Sequence, residues 1–293
     1  MNCDFRIKLI LARIFDIICA EFYHILVSPH LAERILNLFG KSHNFIDMHS
    51  QIPTIPYSEI NNLNKYDLLW EKYFYRIHKK AVKPNIKTEK AANILFVADL
   101  HSDILTKIFL QRISEISKEV DACIFLGDIS EENLTIILSI INEAIPVYGV
   151  LGNHDTANLY LNTRVQSLHQ RAVMINNLSC AGIDGSVKYN DYCPNTFSQI
   201  DSINIARETP PADILISHDI PYSPAWPGSA SHKGLIGLTQ YIFSYGVSFN
   251  VHGHLHNSNI SFLSKSNICI GVYSAAIVCF DRGKYQILNI SYN

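Results

Sequence analysis

The 293-residue sequence has no Cys-x-x-Cys pair, no strong excess of charge of either sign, no low-complexity tract and no long apolar run free of charge. Each absence excludes something. The seven cysteines, Cys3, Cys19, Cys123, Cys180, Cys193, Cys269 and Cys279, are odd in number, and several sit in apolar runs such as Ala122-Cys123-Ile124-Phe125. That usage fits buried free thiols in a reducing, cytoplasmic setting and argues against a disulfide framework or a zinc knuckle. A formal net charge of −2 supplies no global field to steer a polyanion, and no basic tract interleaved with aromatics is present to grip DNA. The most apolar stretch, residues 5–27, is interrupted by Arg6, Lys8, Arg13, Asp16 and Glu21. A spanning helix needs about 20 residues with few or no charges, and a secretory signal needs a small-residue cleavage site after its apolar core. The stretch reads instead as a buried or amphipathic helix, the kind that can make a peripheral membrane or protein contact.

What is present divides near residue 90. Upstream, apolar residues recur at helical spacing in 4–27, 31–39 and 58–79, and a Lys-rich polar stretch at 80–91 suits a linker. Residues 1–90 are therefore expected to be a helical extension. Its five histidines, His24, His30, His43, His49 and His78, follow no metal-ligand spacing and read as surface or core residues. From residue 91 to 293 the pattern changes to short apolar runs alternating with helical ones. Strands are expected over 93–99, 122–126, 146–151, 213–217 and 248–252, and helices over 104–119, 131–144 and 235–245. Continuous apolar strands between helices indicate βαβ units buried on both faces, an α/β fold. The Ile-, Val- and Tyr-rich tail over 259–291 suits antiparallel strands.

Each of these strands ends in a polar cluster of one chemical kind: Asp99-Leu100-His101, Gly127-Asp128, Gly152-Asn153-His154-Asp155, Ser217-His218-Asp219 and His252-Gly253-His254-Leu255-His256. Ligand sites in open α/β folds lie beyond the carboxyl ends of the strands, so five separate clusters can converge. Carboxylate, imidazole and carboxamide oxygen suit divalent transition metals, with no soft thiolate among them. Taken singly, a strand-end aspartate such as Asp128 or Asp155 is as readily a helix N-cap. His252, His254 and His256 would share one face if the strand stayed extended. His252 is expected to be packed near the site, and Asp219 to accept hydrogen bonds behind a ligand or to cap a turn.

The ordered set Asp99-x-His101, Gly127-Asp128, Gly152-Asn153-His154-Asp155, His218 and Gly253-His254-x-His256 resembles the calcineurin-like metallophosphoesterases, over about residues 93–291. The resemblance implies a four-layer αββα sandwich with mixed sheets, and two divalent ions, manganese foremost, with iron, zinc, nickel or cobalt as alternatives. It implies that Asp99, His101 and His256 hold one ion, that Asn153, His218 and His254 hold the other, and that Asp128 bridges them. Asn153 would bind through its carbonyl oxygen and leave its amide to a phosphate. His154 would be the general acid, with Asp155 orienting its ring. Paired cations neutralise the anionic oxygens of the transition state and lower the pKa of water.

Ser/Thr protein phosphatases of this superfamily carry Asp-Arg-Gly after Gly-Asp and Gly-Asn-His-Glu in the third motif. This chain reads Gly127-Asp128-Ile129-Ser130 and Gly-Asn-His-Asp. It looks more like small bacterial phosphodiesterases, so the expected substrate is a small or nucleotide phosphodiester. A nuclease of the same superfamily and a scaffold on the same fold are the alternatives, and scaffolds tend to lose the His154 equivalent. Past His218, the loop carrying Tyr222 and Trp226 and the His232-Lys233 pair before a helix amino end are candidate substrate contacts.

Overall fold

A computed structural model describes residues 92–101, 104–190, 192–223, 229–263, 267–281 and 284–290. The helical reading of residues 1–90 and the position of Trp226 lie outside them. The described elements follow in chain order. They are β1 (Ala92–Ala98), α1 (Lys107–Ile116), β2 (Ala122–Phe125), α2 (Glu131–Ile140), β3 (Val147–Gly149), β4 (Gln166–Ser167), β5 (Ala172–Ile175), β6 (Leu178–Ile183), β7 (Ser186–Val187), β8 (Thr196–Phe197), α3 (Gln199–Glu208), β9 (Ile214–Ser217), α4 (Ile236–Tyr245), β10 (Phe249–His252), β11 (Asn259–Phe262), β12 (Ile268–Gly271), β13 (Ser274–Asp281) and β14 (Lys284–Ile290). One six-stranded sheet has the order β14-β13-β1-β2-β3-β4 and a second has β11-β12-β10-β9-β6-β5. β1 to β4 run parallel, as do β6, β9, β10 and β12. The tail supplies antiparallel partners: β13 for β1, β14 for β13 and β11 for β12.

The period-two alternation of strand side chains makes this a four-layer molecule. From β1, Ala92, Ile94, Phe96 and Ala98 point between the sheets, where they meet Ile214 and Ile216 of β9, Phe249 and Val251 of β10 and Ile270 of β12. The intervening Leu95 and Val97 point outward to Phe109 and Ile113 of α1 and Leu134 and Ile137 of α2. Leu215 of β9 likewise faces outward, toward Leu238, Tyr241 and Ile242 of α4 and Ala206 of α3. Both faces of the central strands are buried, and this produces the continuous apolar runs in the sequence. A fully buried Ile or Phe contributes roughly 1.5–3 kcal/mol.

Three serine or threonine caps start the helices. Thr106, Ser130 and Ser198 each accept from the backbone N–H three residues on, and Ser198 also bonds Asp201 in a box-like cap. α1 lies three residues inside the expected 104–119 at each end, and α4 starts at Ile236 without a side-chain cap. The end of α2 falls at Ile140, four residues short of the expected 144. There the Arg164 guanidinium donates to the carbonyl oxygens of Ile141, Asn142, Glu143 and Ile145. A side chain distant in sequence thus satisfies carbonyls that further helix would have used. α3 and β4 to β8 lie in a stretch where the apolar alternation gives no elements. Two of the three buried residues of α3 are polar, and both bond α4: Gln199 Oε1 accepts from Ile236 N at 2.8 Å and Ser202 Oγ from Gly237 N at 3.1 Å.

Candidate metal centre

The carboxyl ends of β1, β2 and β3 in one sheet and of β9 and β10 in the other open onto the same place. The backbone makes abrupt turns there. Asp99 (φ 56°), Asp128 (φ 55°), His254 (φ 68°) and His256 (φ 49°) all sit in the left-handed region. A non-glycine residue pays about 1–2 kcal/mol for that conformation, and four occur within one cluster. The turns also need close backbone approach. A Cβ on Gly152 would collide with the Asp128 carboxylate, and one on Gly127 with the backbone of Gly152.

Two groups of side chains converge. Asp99, His101 and His256 form one, and Asp128, His218 and His254 the other; within each, the candidate ligand atoms lie within 4.8 Å of one another. Asp128 Oδ2 stands between the groups, 3.4 Å from His218 Nε2 and 3.9 Å from His101 Nε2. His101 Nε2 is 3.1 Å from His256 Nε2, and His256 Nε2 is 3.9 Å from Asp99 Oδ1. Asn153 Oδ1 lies 3.0 Å from His218 Nε2 and so joins the second group.

The donor chemistry fits cations. His218 Nδ1 is 2.8 Å from Leu126 O, an acceptor, so Nδ1 carries a hydrogen. In the neutral ring, Nε2 then presents a lone pair to the oxygens of Asn153 and Asp128. With the ring neutral, these three acceptors suit a cation, and without one the proton of the His218 imidazolium stands in its place. Asp99 Oδ2 is buried with no hydrogen-bond partner, an orphan that a cation would satisfy. His254 Nε2 is 2.8 Å from Ser231 O, which leaves Nδ1 as the nitrogen free for a ligand bond.

Electrostatics carry the same signature. Burial, helped by Asp128, pushes the Asp99 carboxyl up to about 7. Burial acts the same way on Asp128, but His218 overrides it and holds Asp128 well below the carboxylate range. The His218 imidazolium is held up to about 10 by Asp128 in spite of complete burial, whereas burial and the His218 charge push His254 down to about 3.

His154 is exposed, and its ring meets that of His101 edge-on at 5.4 Å, at the mouth of the site. Its neighbour requires a correction. Asp155 does not orient the His154 ring. Its Oδ2 accepts from Gly152 N at 2.6 Å and Asp128 N at 2.8 Å, and its Oδ1 from Ile129 N at 2.9 Å. A carboxylate turned inward onto three backbone donors clamps the second and third motifs together. The His-x-His-x-His run behaves as its first member was expected to. The strand ends at His252, and the left-handed turns after it remove the shared face. His252 packs, buried, with Nδ1 3.0 Å from Gly253 O. Asp219 accepts from Val187 N at 2.8 Å and Ile220 N at 2.7 Å, behind His254 at 3.9 Å.

Of the described candidate substrate contacts past His218, His232 has its ring 5.0 Å from that of His254. Lys233 follows it, half-buried. The backbone of Tyr222 is pinned, with N donating to Leu235 O and O accepting from Thr239 Oγ1. The amino end of α4 is not open to an anion, since Gln199 and Ser202 already occupy its first N–H groups.

A calcineurin-like phosphoesterase model matches residues 92–258, more than half of the sequence. The chain belongs to the calcineurin-like phosphoesterase family. Similar solved structures include the TT1561 protein of Thermus thermophilus (13% identity, TM-score 0.51, covering 69% of this chain and 100% of that one). Others are a dimetal phosphatase from Danio rerio (13%, TM-score 0.45, 68% and 99%) and zinc-complexed Vps29 from Entamoeba histolytica (11%, TM-score 0.36, 69% and 99%). At 13% identity the likeness to the Thermus protein speaks to the fold alone. No curated protein matches the chain.

Three supporting residues of this phosphoesterase site are not visible in the motifs. Tyr189 OH accepts from Asn153 Nδ2 at 3.1 Å. Asn195 donates to Gly152 O and Asp155 O, and Asp184 Oδ1 accepts from Leu151 N at 2.9 Å. All three come from 184–195, a stretch where no strand-end motif marks them; only proximity in the fold does.

Proposed function

We propose that the chain hydrolyses phosphoric esters at a dinuclear metal centre, with a small or nucleotide phosphodiester as the substrate. The observation that carries this reading is the placement of Asp128 Oδ2 between His218 at 3.4 Å and His101 at 3.9 Å, with a complete side-chain group on either side. Asp99, His101 and His256 would hold one ion, Asn153, His218 and His254 the other, and Asp128 both. The ions, manganese foremost, supply charge neutralisation for the phosphoryl oxygens and a lowered pKa for attacking water.

The chain's own groups would do the rest. Asn153 has two amide hydrogens, of which one goes to Tyr189 and one remains for a phosphoryl oxygen. His154, exposed at the mouth, donates a proton to the departing ester oxygen. Asp155 holds the two motif loops in register. His232, whose ring lies beside that of His254, would meet the far side of the ester. The diester preference rests on the absence of the protein-phosphatase extension after Gly127-Asp128. Residues 91–293 form the catalytic unit in this reading, with 1–90 as an extension for protein or membrane contact. The free cysteines Cys123, Cys180, Cys193, Cys269 and Cys279 suit a reducing, cytoplasmic setting. No described helix is long and apolar enough to cross a membrane.

The test is turnover of bis-p-nitrophenyl phosphate and of p-nitrophenyl phosphate by manganese-loaded protein. Faster turnover of the diester is expected. Turnover of the monoester alone would remove the diester assignment, and turnover of neither would favour a non-catalytic scaffold.

A further inference from the structure

Asn153 poses a geometric problem that its motif does not solve. A carboxamide can be rotated by half a turn about its last bond with no change of shape, which exchanges Oδ1 and Nδ2. Only one orientation serves a metal. With Nδ2 turned inward and the His218 ring neutral, as a metal ligand must be, the amide would donate to His218 Nε2 and close the second site to a cation. In the orientation present, Oδ1 faces His218 at 3.0 Å and Nδ2 donates to Tyr189 OH at 3.1 Å.

A hydroxyl by itself does not choose between the two. It accepts from Nδ2 in one orientation and can donate to Oδ1 in the other. The choice is made if the phenol hydrogen is engaged elsewhere. Tyr189 OH is also 3.2 Å from Cys193 Sγ. With its hydrogen on that sulfur, Tyr189 offers Asn153 a lone pair alone. The Cys193 end is itself held, since Asn190 Oδ1 accepts from Cys193 N at 3.1 Å and Thr196 Oγ1 donates to Cys193 O at 3.1 Å. In that arrangement the relay runs from a braced turn, through sulfur and phenol, to the amide.

We propose that Tyr189, backed by Cys193, is a positioning residue that fixes the Asn153 carboxamide with its oxygen toward the second metal site. The assignment rests on the dinuclear reading above and extends it to residues outside every motif.

The experiment is calorimetric titration of Mn²⁺ into metal-stripped full-length protein, for wild type, Tyr189→Phe, Cys193→Ser and Cys193→Val. Thermal midpoints of the metal-free forms are recorded alongside. Wild type is expected to take up two ions. Tyr189→Phe should keep one at wild-type affinity and bind the other about 10–100-fold more weakly, the usual effect of removing a partner behind a ligand. Cys193→Ser retains an acceptor for the phenol hydrogen and should behave as wild type, while Cys193→Val should shift in the direction of Tyr189→Phe. Unchanged affinity for both ions in Tyr189→Phe would overturn the positioning role while leaving the dinuclear reading intact. Equal weakening of both ions, with a lowered midpoint, would overturn it too, as a loss of packing. Wild-type protein that takes up no pair of ions would overturn the dinuclear reading itself, and the role of Tyr189 with it.

Discussion

Metal uptake should release protons, in a number that changes with pH in a way the site dictates. In the metal-free chain the His218 pKa is raised to about 10 and that of Asp99 to about 7. Both groups must shed their protons to act as ligands. At pH 8, His218 is about 99% protonated and Asp99 about 10%, so Mn²⁺ binding should release about one proton. At pH 6 both are largely protonated, and release from these two groups should approach about two. His254, pushed down to about 3, adds nothing at either pH. The slope of log affinity against pH equals the number of protons released. Affinity should thus rise with pH, and more steeply near pH 6 than near pH 8. Stability of the metal-free fold has the opposite sign. Raised folded pKa values stabilise below the unfolded values and are lost as pH rises, through about 7 for Asp99 and about 10 for His218. Calorimetry in buffers of different ionisation enthalpy counts the protons directly. Binding at pH 8 with no proton release would refute the arrangement in which His218 is an imidazolium awaiting replacement by a cation.

Other expectations follow from single contacts. His154→Ala should retain both ions and lose rate by roughly 10²–10⁴ on alkyl esters, less on p-nitrophenyl esters, whose leaving group needs no proton; equal rates on both would remove the acid role. Asp155→Asn replaces an oxygen facing backbone N–H groups with another donor and should cost about 2–4 kcal/mol in denaturant unfolding. Wild-type stability with an altered pH–rate profile would instead restore Asp155 as a partner of the His154 ring. Gly152→Ala puts a methyl against the Asp128 carboxylate and should abolish uptake of both ions, read by metal content of the purified variant.

The sequence shows the central strands plainly because β1, β2, β9 and β10 are buried on both faces, which leaves unbroken apolar runs ending in polar motifs. α3 stays hidden because its contact with α4 is made by Gln199 and Ser202, which propensity and periodicity assign to the surface. The convergence of the strand ends is legible in outline, since each motif follows a strand. The manner of it is not. Left-handed turns at Asp99, Asp128, His254 and His256 are imposed by the loops, and a period-two reading of His252, His254 and His256 assumes a strand that has already ended. Roles that depend on rotation of one side chain, such as the inward turn of Asp155 or the pairing of Asn153 with Tyr189, leave no trace in residue order.

Metal content per chain, measured for wild type and Asp128→Ala after purification and reloading with Mn²⁺, tests the shared centre most directly. The account predicts close to two ions for wild type and close to none for the variant, because Asp128 Oδ2 serves both sides. Two ions retained by Asp128→Ala would contradict it.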